Sequence, residues 1–154
     1  MTRRIIVTGG AIIKDSQGRI LLQKRSDYGD WGLPGGGMEP GESIEETMVR
    51  EVKEETGLDL VDYELYAVYS GPRMMYTYPD GNEVVFVMFL FHATADLTGK
   101  LGADGRSLRF ADANNESLQL MFQFLEEIDL AVVNKVQKPV FADLKEATTG
   151  ILRR

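Results

Sequence analysis

Residues 50–57 read REVKEETG, and they place Glu51, Glu54 and Glu55 within little more than one helical turn. At about 100° per residue, Glu54 lies about 60° to one side of Glu51 and Glu55 about 40° to the other, so three carboxylates share a helix face. Glu51 and Glu55 form a like-charge pair at i,i+4, which costs roughly 0.2–0.5 kcal/mol. Negative charge in a last turn also opposes the helix dipole, by roughly 0.3–1 kcal/mol per exposed charge. A solvated Glu-rich helix diluted by Arg50 and Lys53 is the plain alternative. The surroundings argue against it: residues 39 to 55 hold seven Glu against two basic residues. A divalent cation would turn each of these penalties into a gain, because hard cations take carboxylate oxygens and keep water and phosphate oxygens as further ligands.

The rest of the chain sets limits on such chemistry. With 154 residues, 44% of them hydrophobic and 27% charged, it has the size and balance of one globular domain spanning 1–154. Cysteine is absent and His92 is the single histidine, which excludes disulfides, thiolate ligands and a His-rich zinc site. No apolar run approaches the ~20 residues of a membrane span. The start, MTRRIIVTGGAII, is broken by Gly9-Gly10 and reads as a first strand rather than a leader. A cytoplasmic location is therefore expected. The net charge of −7 argues against a nucleic-acid backbone or an anionic membrane as partner. It also means that a phosphate substrate would need a counter-cation.

Several elements must position the acidic helix. Ile5 to Ile13 reads as a strand, residues 14–18 as a turn and Arg19 to Lys24 as a returning strand. The segment WGLPGGGMEPGE then reads as a loop. Ser43 is an N-cap with Glu46 at the capping-box spacing, and Gly57 stands where a C-terminal cap belongs. Ile44, Met48 and Val52 form an apolar stripe that would pack the helix on a sheet. Leu58–Tyr69 and Val84–Ala95 are long strands, the second preceded by the turn Pro79-Asp80-Gly81-Asn82. Residues 97–115 read as a loop with a short strand at Ser107–Phe110. Leu118–Phe124 is a further strand, and Pro139 opens a helix to about Thr149. The fold class is α/β or α+β with a mixed sheet.

Gly36, Glu42 and the run Arg50-Glu51-Val52-Lys53-Glu54-Glu55-Thr56-Gly57-Leu58 match the pattern G-x5-E-x7-R-E-U-x-E-E-x-G-U at every constrained position. The chain is thereby identified as resembling the Nudix hydrolase family, and the preceding WGLPGG is similar to the family's usual lead-in. The resemblance implies an α/β/α sandwich around a mixed sheet. It also implies Mg²⁺- or Mn²⁺-dependent hydrolysis of a nucleoside diphosphate linked to another moiety. By position it assigns Glu51, Glu54, Glu55 and the Gly35 carbonyl as metal ligands. Gly36, Glu42 and Gly57 become structural members of the box, with Arg50 paired to Glu42. Glu54 or Glu51 is the expected general base, with Glu116, which matches a loop glutamate found outside the box, third; Arg50 is counted with them among the catalytic residues. Residues 104–115 run longer than the family's usual turn, and Phe122-Gln123-Phe124 stands where an aromatic pair and a proline are common.

For substrate contacts the candidates are Arg25 toward phosphate and Trp31, Tyr28, Tyr76, Tyr78 and Phe86 toward a base. Ordinary surface or core packing is the competing reading for each. Tyr76 lies 18 residues after the box, near a position associated with dinucleoside polyphosphate cleavage, and Pro72 lies near one associated with ADP-ribose hydrolases. His92 is read as structural. Two other classes compete: a nucleotide-sensing module that does not hydrolyse, and an isomerase on the same fold. The box is intact, and the isomerases rely on a cysteine that this chain lacks, so hydrolysis is preferred. Dimerisation is common in the family and leaves no mark in this sequence.

Overall fold

The computed structural model describes residues 3–25, 29–110 and 117–154. In chain order the elements are β1 (Arg4–Ile13), β2 (Ile20–Arg25), β3 (Trp31–Gly32), β4 (Gly35–Gly37), α1 (Ile44–Thr56), β5 (Leu60–Tyr69), β6 (Met75–Thr77), β7 (Glu83–Ala95), β8 (Ser117–Gln123), α2 (Lys138–Glu146) and β9 (Leu152–Arg153). A mixed sheet has the order β4-β1-β7-β5-β9, with β6 also paired to β7, and a second sheet has the order β3-β2-β8. β1 runs parallel to β7 along its whole length, from Arg4 opposite Val84 to Ile13 opposite Ala93.

The alternation of β1 builds two cores on the two faces of this sheet. Ala11 and Ile13 pack with Met48 and Val52 of α1 and with Phe91, Leu120 and Phe122. Ile12 turns the other way, toward Leu22, Tyr69, Leu90 and Val140 and Phe141 of α2. The result is the expected sandwich, helix–sheet–helix. No helix among the described residues is long and apolar enough to cross a membrane.

Local signals place α1 well. Ser43 accepts from the Glu46 amide, Glu46 reaches back to the Ser43 amide, and Gly57 closes the helix in the left-handed region at φ 72°. Met48 and Val52 are fully buried and Ile44 is partly so, as the stripe requires.

Elsewhere the structure corrects the sequence reading. The glycine-rich loop contains two short strands, because β4 finds a flat partner in Gly9-Gly10 of β1. Residues 107–110 form only isolated bridges, Leu101 to Leu108 and Ser107 to Met121. Three 3₁₀ turns occupy 125–137, and α2 begins at Lys138, with Pro139 second, and stops at Glu146. Its end is set by Ala147, which adopts φ 54°, three residues before the glycine expected to close it.

The unforeseen strand β9 depends on a side chain. Arg153 donates to Asp143 at 2.8 Å, to the Gly150 carbonyl at 2.8 Å and to the Thr148 carbonyl at 3.1 Å. Tyr69 donates to the same Asp143 oxygen at 2.6 Å, and Arg153 lies over the Tyr66 ring. Burial works against the Asp143 charge, but the bonds from Tyr69 and Arg153 prevail and hold its pKa below the ordinary value. Removing one partner of a buried pair leaves the other uncompensated. Arg153→Met is therefore expected to lower stability by about 3–5 kcal/mol in urea unfolding; a loss below ~1 kcal/mol would mean that the network is not structural.

Candidate active site

The site starts from a close approach of backbones. Gly9 of β1 stands opposite Gly36 of β4, and Gly10 opposite Gly35. A Cβ placed on Gly36 would lie 2.6 Å from both carboxylate oxygens of Glu51. The Glu51 side chain thus lies directly on the glycine. One turn later the Gly35 amide donates to Glu55 Oε2 at 2.9 Å. The i,i+4 spacing read from sequence therefore brings Glu51 and Glu55 to the same pair of glycines.

Arg50 holds this arrangement together. Its Nε donates to Glu42 Oε2 at 2.6 Å and its Nη2 to Glu42 Oε1 at 3.0 Å, a two-pronged bond. Nη2 also donates to the Gly37 carbonyl at 3.0 Å, and Nη1 to Glu51 at 2.9 Å and Glu54 at 3.4 Å. The guanidinium joins the loop, the helix start and two of the three acids. Arg50 was expected among the catalytic residues and as the tie between the helix and its loop; these bonds are that tie. The bond from Arg50 is the main reason that Glu42 titrates at about 2 instead of 4.5, helped by the Glu39 amide and Thr47. The same pairing raises the Arg50 pKa further.

Glu55 sits in the opposite regime. It is 2% exposed. Burial first, and the nearby Glu51 charge second, push its pKa up to about 8 against the pull of the Gly35 amide, Arg25 and Gln23. Its Oε1 is buried and accepts no hydrogen bond, while Arg25 Nη1 stands 3.6 Å away. A buried acid with one oxygen unsatisfied, next to a second acid and a bare glycine backbone, is an all-oxygen donor set of the kind hard cations take. Glu54 is the exposed one of the three, with its side chain 47% exposed and sharing Arg50 Nη1 with Glu51. Among the described residues, no three acidic or histidine side chains converge into a finished metal cluster.

A cavity of about 330 Å³ opens on this ground. Arg25, Glu51 and Gly35–Gly37 line it together with Tyr76, Tyr78 and Phe86. Tyr76 meets Tyr78 edge-on with centroids 5.4 Å apart, and Phe86 at 6.2 Å. Trp31 takes no part in the wall; it packs against the core, and its carbonyl receives the Asn134 amide at 2.8 Å. Glu116 and Tyr28 lie outside the described residues. His92 is half-buried, edge-on to Tyr66 at 4.8 Å, and burial lowers its pKa, in keeping with a structural role. Pro72 opens a 3₁₀ turn ahead of β6.

Sequence reasoning missed Asn134 and Gln137, which also line the cavity. Gln137 Oε1 accepts from the Leu33 amide at 2.7 Å and so steadies the glycine loop from the far side. The single trace in the sequence is that both are polar among the buried Val133, Val136 and Val140.

A family model described as the NUDIX domain matches residues 5–144. The chain is 37% identical over 111 residues to an ADP-ribose pyrophosphatase of Methanocaldococcus jannaschii, covering 71% of this chain and 63% of that one. It is 37% identical over 97 residues to the nucleoside triphosphatase NudI of an Enterobacter species, covering 58% and 67%. The chain spans less than two thirds of the length of the first curated relatives it matches. Among solved structures, a mutator MutT protein from Bacillus halodurans aligns with TM-score 0.66 and 27% identity, over 96% of this chain and 85% of that one. A MutT protein from Methanosarcina mazei aligns at TM-score 0.65 and 21% identity, over 97% and 99%, a likeness of fold.

The Glu42–Arg50 bond carries a pH signature. A carboxylate whose pKa is depressed on folding adds stability above its unfolded value and loses it as pH falls through the folded one. Glu42→Gln should therefore be less stable than the wild type at neutral pH, with the gap closing between pH 4.5 and about 2. Denaturant midpoints of both proteins across that window give the answer; a gap that persists at its acid end would deny the pairing its role.

Proposed function

The chain belongs to the Nudix family, and from that premise we propose that it is a cation-dependent pyrophosphohydrolase. Its substrate would be a nucleoside diphosphate linked to another moiety, a nucleoside triphosphate before a dinucleoside polyphosphate or nucleotide sugar. One observation carries the proposal: Glu51 and Glu55 are brought to Gly35 and Gly36 at the wall of a cavity that also holds Arg25 and an aromatic trio. A volume near 330 Å³ suits a single nucleoside with its phosphates better than two nucleosides.

Glu51, Glu55, Glu54 and the Gly35 carbonyl would hold Mg²⁺ or Mn²⁺. The bound cation supplies charge neutralisation for the diphosphate and a more acidic water. Water attacks phosphorus, the anhydride P–O bond breaks, and a glutamate takes the proton. Glu54 fits that role best, since of the three it is the half-exposed one and can return the proton to solvent. Glu51 is second. Arg25, beside Glu55 and on the cavity wall, meets phosphate oxygens. Tyr76, Tyr78 and Phe86 offer faces for a planar base, and the amides of Asn134 and Gln137 offer donors and acceptors to its edge. Arg50 acts through the acids it holds. The whole chain would work as one hydrolase domain on small nucleotides.

Product release from a panel of nucleoside triphosphates, dinucleoside polyphosphates, nucleotide sugars and ADP-ribose with Mg²⁺ tests the reading. One class is expected to be hydrolysed, with loss on chelation and a fall of roughly 10²-fold or more in Glu54→Gln and Glu55→Gln. Undiminished turnover in both variants would end the assignment of the acidic helix. Nucleotide binding without turnover in the wild type would point to a sensing module.

A stacked base adds its own expectation. Tyr76→Ala should raise KM by about 5- to 150-fold, the equivalent of roughly 1–3 kcal/mol of base–aromatic stacking, and leave the cation requirement unchanged. An unaltered KM would place the base elsewhere.

A further inference from the structure

Two adjacent glycines outside the family motif, Gly9 and Gly10, interrupt the largely apolar strand β1, which lies between β4 and β7 in the main sheet. Each glycine inside a strand costs roughly 0.5–1 kcal/mol relative to alanine, so the pair calls for a physical reason. Local geometry supplies one. A Cβ on Gly9 would stand 3.1 Å from the Ile44 carbonyl oxygen and 3.2 Å from the Met48 amide, both backbone of α1, and 3.3 Å from Met48 Cβ. A Cβ on Gly10 would stand 3.1 Å from the Pro34 carbonyl oxygen and 3.1 Å from Leu90 Cδ2. Across the ladder the contact is as close: a Cβ on Gly35 would lie 2.6 Å from both Gly10 Cα and the Gly9 carbonyl oxygen. From α1 through β1 to β4, backbone approaches backbone, and β4 in turn meets the Glu51 carboxylate.

We propose that Gly9 and Gly10 are positioning residues for the cation site. Gly9 sets how closely α1, and with it Glu51 and Glu55, approaches the sheet. Gly10 sets the seat of the Pro34–Gly35 segment, whose Gly35 amide binds Glu55 and whose carbonyl is an expected ligand. The inference rests on the cation-dependent reading above. At contacts of 3.1–3.3 Å an added methyl forces its neighbours away by a few tenths of an ångström. A fold absorbs that shift. A Mg²⁺ site, which needs ligands near 2.0–2.1 Å in octahedral array, does not.

Mn²⁺ titrated into the full chain without nucleotide, read by the electron-spin resonance of free Mn²⁺ and paired with thermal unfolding, provides the test. Wild type, Gly9→Ala, Gly10→Ala and Val140→Ala are compared, the last a truncation in the core on the opposite face of the sheet. Both glycine variants should bind Mn²⁺ about 10- to 100-fold more weakly, while Val140→Ala loses melting temperature and keeps wild-type affinity. Wild-type affinity in the glycine variants, or a loss that Val140→Ala matches at equal destabilisation, overturns the inference and leaves the reading of the site intact. Failure of the wild type itself to bind Mn²⁺ overturns that reading, and the inference with it. Should Gly9→Ala not fold, Gly10→Ala decides, since Leu90 Cδ2 is the end of a flexible side chain and yields, which leaves the Pro34 carbonyl as the one backbone contact to shift.

Discussion

The structure around the cavity depends on a guanidinium surrounded by carboxylates. Seven glutamates between residues 39 and 55 would drive the loop and the helix apart if left to themselves. Arg50 collects Glu42, Glu51, Glu54 and the Gly37 carbonyl on its donors, so the helix that carries the acids is tied to the loop that faces them. The planar fork matters, because two of those bonds go to Glu42 alone, and a lysine could not make them in the same geometry. Thr47 and the Glu39 amide complete the shell around Glu42.

What Arg50 gathers, the glycines bring close. A side chain at Gly36 would overlap the Glu51 carboxylate, and one at Gly35 would overlap β1. The absence of side chains on both strands lets a carboxylate lie against backbone, and it leaves Glu55 nearly without water. Two acids at opposite ends of the helix then diverge in character. Glu42, held by an arginine and amides, is pushed far toward the ionised form, whereas Glu55, desolvated beside Glu51, is pushed toward the neutral one.

The two cores give this small site a rigid base. Because β1 alternates, the residues that hold α1 and those that hold α2 come from the same strand. The cavity therefore has one wall on β1, β4 and β7 and another on the residues just before α2, Asn134 to Gln137. Gln137 crosses the gap to the Leu33 amide, so a segment more than a hundred residues away in sequence steadies the loop that faces the acids.

By itself the sequence determined α1 with both caps, the long strands and the register of Glu51 and Glu55 on one face, while the bond of Arg50 to Glu42 came from the family resemblance. These follow from helix periodicity, local hydrogen bonds and charge over short distances, which few neighbouring residues specify. Tertiary structure alone decided the rest. It separated Glu54 from its two companions by burial, left Trp31 off the cavity wall that Tyr76 and Phe86 line, and created β4 and β9, each of which is stable only against a distant strand. It also gave Gly9, Gly10 and Gln137 their neighbours. Burial and long-range contact depend on which surfaces meet after the chain has closed, and no local spacing records that.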